Sequence, residues 1–243
     1  MCLLLLALDA VPGRPVVLLG NRDEFHARPS AAAAPWADLP GVIGGRDLEA
    51  GGSWLAAHRS GRIAAVTNIR LLTQQRGSRS RGDLVRDFVA GEAGAAAQMQ
   101  LLQRRVGDYA PFNLVLIDAH EAWCLESPSA RAQRLQPGVH LISNGPLDAP
   151  WPKMQRLRER FVQTVAGGGN DDALLDLLAD TQQPADAALP DTGIGLERER
   201  FLAPIFIRGE SYGTRASTLA WRDGAGRIGL HERRFGPGGL ALP

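Results

Sequence analysis

Two apolar runs lie close together at the start of the chain, Cys2-Leu3-Leu4-Leu5-Leu6-Ala7-Leu8 and Val16-Val17-Leu18-Leu19-Gly20, with Pro12-Gly13 between them. A short apolar run without polar alternation predicts a strand buried on both faces. The first run is too short to span a bilayer. It also lacks the basic segment before it and the small-residue cleavage site after it that mark a secretory leader, and Asp9 ends it. A Pro-Gly pair between strands is a turn signal. The chain is therefore expected to begin as a hairpin of Cys2–Asp9 with Val16–Gly20. A hairpin that is apolar on both faces belongs in the middle of a layered structure, covered from two sides.

Beyond the hairpin the pattern alternates. The segment from Asn21 to Leu39 is polar, then rich in Ala and Pro, and predicts a loop. Ser53–Ala57 and Ile63–Asn68 predict strands joined by a turn at Ser60-Gly61. Helical spacing follows over Asp83–Ala90, with Leu84, Val85, Phe88 and Val89 on one face and Asp83 as its cap, and then over Ala93–Val106. Phe112–Asp118 and Ala122–Glu126 predict a second hairpin turning near Ala119-His120, and Val139–Ser143 a further strand. Trp151–Val165 predicts a helix, with Pro152 in its first turn and Met154, Leu157, Phe161 and Val165 on one side. Asp171–Ala179 predicts another helix with acids at its start, Gln182–Gly195 a loop, and Thr214–Trp221 with Arg227–Arg233 the closing strands. This order, with no long linker, predicts an α+β chain of one domain over residues 1–243, in which two antiparallel sheets carry helices on their outer faces.

Charge excludes some functions. With 27 basic and 26 acidic residues the net charge is +1, which offers no electrostatic ground for binding nucleic acid or an anionic membrane. Two cysteines, Cys2 and Cys124, do not make a disulfide framework. The expectation is a cytoplasmic chain with no integral membrane association.

The chemistry of the first strand centres on its first residue. Removal of Met1 leaves Cys2 with a thiol and a free α-amine, groups that titrate near ~8.5 and ~8 and so exchange a proton near neutral pH. One residue then supplies nucleophile and base together. The hairpin returns Gly20-Asn21-Arg22-Asp23-Glu24 beside the start of the first strand. Arg22 there is expected to lower the thiol pKa, and Asp23 or Glu24 to orient the amine. Asn68 and Asn144 each end an apolar strand, where a side-chain amide can donate to an oxyanion, a role worth roughly 3–4 kcal/mol in known cases.

Met1-Cys2 with Asn21-Arg22-Asp23-Glu24 resembles the NRDE family, also called the transport and Golgi organisation protein 2 family. Gly51-Gly52-Ser53-Trp54-Leu55, Gly61-Arg62 to Asn68-Ile69-Arg70, Ser143-Asn144-Gly145 with Trp151-Pro152-Lys153, and Tyr212-Gly213-Thr214-Arg215 resemble its later motifs in order. The resemblance implies an N-terminal-nucleophile (Ntn) hydrolase-like fold, a four-layer αββα sandwich. A more distant similarity is to penicillin V acylases and bile salt hydrolases, whose nucleophile is Cys and whose motif is Gly-Arg-Asn-x-Asp. Here Arg and Asn are exchanged, so whether Asp23 or Glu24 takes the acidic role stays open. Asn68 resembles their oxyanion-hole Asn, Asn144 the Asn of their Thr-Asn-Ser-Pro segment, and Arg215 a late-strand Arg.

The implied function is Cys-type hydrolysis of a non-peptide amide or thioester. The alternative is a binding or trafficking protein for a hydrophobic ligand, either haem or an acyl or lipid molecule. Trp54 and His26 are candidates for the substrate pocket. No histidine or cysteine spacing suggests zinc, no resident cofactor is expected, and Cys124 in Trp123-Cys124-Leu125 reads as a packed hydrophobe.

Overall fold

The computed structural model describes residues 2–70 and 77–243; Met1, whose removal the nucleophile reading requires, lies outside them. The chain runs through β1 (Cys2–Val11), β2 (Arg14–Phe25), β3 (Ser30–Pro35), β4 (Val42–Asp47), β5 (Leu55–His58) and β6 (Ile63–Asn68). Then come α1 (Arg81–Ala90), α2 (Ala95–Gln103), β7 (Phe112–Ile117), β8 (Ala122–Glu126), β9 (Arg131–Arg134) and β10 (Gly138–Ile142). It closes with α3 (Pro152–Ala166), α4 (Asp171–Asp176), α5 (Leu196–Leu202), β11 (Tyr212–Arg222), β12 (Ile228–Phe235) and β13 (Ala241–Leu242). The strands form two antiparallel sheets, in the orders β10-β1-β2-β11-β12-β13 and β3-β4-β5-β6-β7-β8-β9.

The first hairpin lies in the interior of its sheet, and its alternation explains why both faces are apolar. Leu3, Leu5, Ala7, Val17 and Leu19 pack against Met154, Leu157 and Phe161 of α3 and Leu174 and Leu175 of α4. Leu4, Leu6, Leu8, Val16 and Leu18 face the other way, onto Leu55, Ile63, Ala65, Val115 and Ile117 of the second sheet. A third core lies between the outer face of that sheet (Ala56, Ala64, Val66, Leu114) and Leu84, Val85, Phe88 and Met99 of α1 and α2. Three apolar interfaces between four layers are the αββα sandwich. No described helix is long and apolar enough to cross a membrane.

Several boundaries differ from the expectation. Asn21–Leu39 is not a loop. β2 continues to Phe25 because β11 pairs with it as far as Tyr212↔Phe25, and β3 follows. β4 carries Gly44 and Gly45, where an added Cβ would lie 2.7 Å from the Leu55 carbonyl and 2.3 Å from the Trp54 ring; close packing, not side-chain pattern, selects these residues. β9 is a polar edge strand with no apolar signature. α5 follows the expected loop Gln182–Gly195, in a stretch for which the pattern predicted no element. The cap of α1 is Ser80, whose hydroxyl accepts from Gly82 N–H, rather than Asp83. α2 is shorter than the expected helix, and its Ala95 N–H is met from a distance by the Asp118 carboxylate at 2.7 Å.

Candidate functional site

The register Leu5↔Leu19 brings Cys2 opposite Arg22 at the open end of the first hairpin. Strand alternation then divides the polar cluster between two layers. Cys2 and Arg22 share the side that faces the second sheet, while Asn21 and Asp23 turn toward the helices. Accordingly the Arg22 guanidinium stacks on Trp54, its Cζ 4.3 Å from the ring centroid. The Asn21 amide instead donates to the carbonyls of Leu178 and Ile205 at 2.9 and 2.8 Å, a structural bond on the helix side.

Cys2 is 8% exposed and lines a cleft of about 550 Å³ together with Arg22, Asp23, Glu24, Trp54, Asn68 and Arg81. Its carbonyl accepts from the Ser143 hydroxyl at 3.2 Å. Burial pushes the thiol up, with the Asp23 charge adding to the rise, while the N-terminal charge and, less strongly, Arg22 pull it down. Arg22 thus acts in the expected direction, and burial keeps the net shift of the thiol upward. Arg22 itself is 5% exposed, and its Nη2 is only 3.4 Å from Asp47, whose carboxylate is taken chiefly by Arg28 at 2.6 and 3.2 Å. Arg22 Nη1 is buried without a hydrogen-bond partner among the described residues.

Asp23 is 2% exposed. Its Oδ1 accepts from Thr214 Oγ1 at 2.7 Å, and its carbonyl accepts from the Tyr212 hydroxyl at 3.0 Å. Burial pushes its carboxyl up; the N-terminal charge first, then the Lys153 ammonium and the Thr214 hydrogen bond, pull it back. Glu24 is half-buried, and its Oε1 accepts from the backbone N–H of Phe25 at 2.8 Å. Of the two acids, Asp23 has the enclosed place beside Cys2.

Asn68 borders the Cys2 cleft and a second cleft of about 580 Å³. This second cleft is apolar along Phe25, Ile69, Pro111, Phe201 and Leu202, and Asn144 also lines it. Asn144 Nδ2 donates to the Asn68 carbonyl at 2.7 Å, so one of its N–H groups braces the neighbouring strand end. Arg81 and Glu24 join Asn68 at the border of the two lobes.

Two expected site residues stand apart. The β2–β11 register jumps between Thr214 and Ala216, which makes Arg215 the extra residue of a bulge. Its guanidinium donates to the carbonyls of Phe25 and Arg28, and it lines neither lobe. His26 likewise lines neither; its Nε2 is 3.1 Å from the Gly209 carbonyl. Trp54 does wall the Cys2 lobe, through its stack with Arg22.

Other side chains at the site were not singled out from the sequence. Thr67 Oγ1 donates to the Ser143 carbonyl at 2.7 Å, and Asn113 Nδ2 reaches Thr67, Ser143 and Gly145. This polar strut joins the second sheet to the end of β10, and through Ser143 to Cys2. Asn113 is the polar member of the otherwise apolar Phe112–Ile117, a signal that was open to reading. Lys153, Thr214 and Tyr212 carried no such signal beyond their place in short motifs.

The layers, and a strand that opens on a cysteine at a cleft, define the N-terminal-nucleophile hydrolase-like fold. A Caenorhabditis elegans N-acylethanolamine-hydrolyzing acid amidase ortholog shares it with a TM-score of 0.53 at 11% identity, over 90% of this chain and 92% of that one. The chain belongs to the Transport and Golgi organisation 2 family, which it matches over residues 1–237. It is 30% identical to the Bos taurus Transport and Golgi organization protein 2 homolog, over 96% of this chain and 92% of that protein. The Drosophila melanogaster Transport and Golgi organization protein 2 is 28% identical, with 96% and 91% covered.

Proposed function

We propose that the chain is one domain that works in the cytoplasm as a Cys-type N-terminal-nucleophile hydrolase of a non-peptide amide or thioester, once Met1 has been removed. The observation that carries this reading is the position of Cys2 in a polar cleft that meets an apolar one at Asn68. An acyl chain fits the apolar lobe and the departing group the polar lobe, with the carbonyl carbon between them. Cys2 Sγ attacks that carbon and its proton passes to the Cys2 amine. The Asn68 amide donates to the oxyanion, and Arg22 Nη1 is a further donor for negative charge at the reacting centre. Collapse breaks the C–N or C–S bond, and the leaving group takes the proton back from the ammonium. Water, losing a proton to the amine, then cleaves the acyl–Cys2 thioester and releases a carboxylic acid. Asp23 orients the amine throughout; Asn144 fixes Asn68.

The test is turnover of acyl amides and acyl thioesters of graded chain length, with intact mass confirming loss of Met1. Cys2→Ala is expected to lower turnover by roughly a thousandfold or more, the usual cost of deleting a nucleophile. Full activity in that variant refutes the reading.

One observation favours a second reading: burial pushes the Cys2 thiol up, as suits a site that holds a ligand without reacting with it. The ligand would then be hydrophobic, either haem or an acyl or lipid molecule. Among the described residues, no His, Cys or Met lines the apolar lobe, and Tyr212 is the residue there of a type that ligates haem iron. Haem titration followed by absorbance at tens of micromolar protein separates the two ligand classes.

A further inference from the structure

Ser143 and Asn144 follow the end of β10 and are both buried. Between them they touch the two strand ends that the proposed reaction uses. The pairing of β1 with β10 ends at Leu4↔Ile142. Beyond it a side chain takes over: the Ser143 hydroxyl donates to the Cys2 carbonyl at 3.2 Å, with Asn144 Oδ1 as its other acceptor at 3.4 Å. The next residue reaches the opposite sheet. There Asn144 Nδ2 donates to the Asn68 carbonyl at 2.7 Å, and the Asn144 carbonyl accepts from the Arg70 N–H at 3.0 Å. The Ser143 carbonyl is itself held from that sheet by Thr67 and Asn113. Cys2 and Asn68, which belong to different sheets, are thus tied to adjacent residues, whose Cα atoms lie about 3.8 Å apart. Cys2 needs such a tie more than an interior residue does. A residue at a chain end is ordered only where something holds it, and rotation about the Cys2 Cα–C bond swings its amine and thiol together. A fixed carbonyl stops that rotation.

We propose that Ser143 is a positioning residue of the Cys2 site: its hydroxyl, by holding the Cys2 carbonyl, sets the thiol and amine against Asn68, with the Ser143-Asn144 peptide as the spacer between the two sheets. The role in catalysis rests on the nucleophile reading above, but the tether on Cys2 is measurable without it. The experiment follows alkylation of the full chain by iodoacetamide, resolved by peptide mass, with the buried Cys124 as internal reference for global opening. Two pairs isolate the hydroxyl: the parent with Ser143→Ala, and Ser143→Thr with Ser143→Val, which differ only as hydroxyl against methyl. Without the hydroxyl, Cys2 is expected to alkylate about fivefold faster or more, the factor that one hydrogen bond of ordinary net strength is worth. The Cys124 rate should not change. On a decanoyl thioester, kcat should fall about tenfold or more with KM within about twofold, since the loss is one of geometry at the reacting atoms. Ser143→Thr should lie closer to the parent than Ser143→Val in both readings. Ser143→Ala combined with Asn144→Ala should fall short of the product of the single losses, because the two residues fix one distance. Equal Cys2 alkylation within a pair whose Cys124 rate is steady overturns the proposal, and so does Cys124 quickening with Cys2 in both pairs. Faster Cys2 alkylation with an unchanged kcat, where Cys2→Ala is inactive, overturns the positioning role. Faster Cys2 alkylation with a fully active Cys2→Ala leaves the tether standing and refutes the nucleophile reading instead.

Discussion

Asn113 joins the two sheets beneath the site, and its removal has a cost that follows from its contacts. The side chain is 1% exposed, and Nδ2 lies 3.3 Å from Thr67 Oγ1, 3.2 Å from the Ser143 carbonyl and 2.9 Å from the Gly145 carbonyl. An amide has two N–H groups, so these are at most two good bonds, each worth about 1 kcal/mol net. Asn113→Ala also strips a donor from the Gly145 carbonyl, at about 1–3 kcal/mol for a buried group left unpaired. Oδ1 has no partner among the described residues, so deleting that atom offsets about 1 kcal/mol. The expected loss is about 2–4 kcal/mol, read from urea unfolding with an unchanged m-value. Asn113→Asp should be worse at neutral pH, since a carboxylate would face two carbonyls and donate to neither. The fold would raise the pKa of that introduced carboxyl. Its penalty is therefore full at neutral pH and shrinks as acidification supplies a proton to donate. A loss below about 1 kcal/mol for the alanine variant, or an aspartate variant that is the more stable at neutral pH, refutes the strut.

Two further outcomes follow from local geometry. A Cβ at Gly52 would lie 2.4 Å from the Gly82 carbonyl carbon, backbone against backbone, where Ser53 N–H also donates to the Gly82 carbonyl. Gly52→Ala should therefore cost about 1–3 kcal/mol in denaturant unfolding; a neutral result shows that the wall of the Cys2 lobe yields freely. The hydrogen bond from His140 Nδ1 to Asp148 at 3.0 Å raises the pKa of His140 in the folded chain. That contribution to stability is complete below the ordinary histidine value of about 6.5 and fades as pH rises through the higher folded value. Melting temperatures across that range should fall more steeply for the parent than for His140→Gln, and parallel slopes would rule the pair out.

Much of the architecture is local in origin and was legible without a structure. Apolar residues on both faces made the first hairpin an interior one, and its turn returned the polar stretch beside Cys2. The register shift between Leu8 and Val11 is what sets Cys2 opposite Arg22. Helical spacing in Leu84, Val85, Phe88 and Val89, and in Met154, Leu157 and Phe161, marked the faces that cover the sheets. Pattern records how much of a residue is buried, because burial is paid for residue by residue along an element. It does not record which distant segment does the covering. Polar Asp23–Phe25, beyond the last pairing with β1, became strand because β11 runs alongside. The bulge at Arg215, the capping of α2 by Asp118 and the approach of Gly52 to Gly82 are likewise meetings of segments far apart in sequence. So the sequence by itself determined the layers, the central hairpin and the cysteine at its open end. Only the tertiary structure decided that Asp23 rather than Glu24 is enclosed beside that cysteine, with Thr214 bonded to it. Alternation sends residue 23 to the helix side, and the strand that bonds it there is brought by a connection no local pattern can specify.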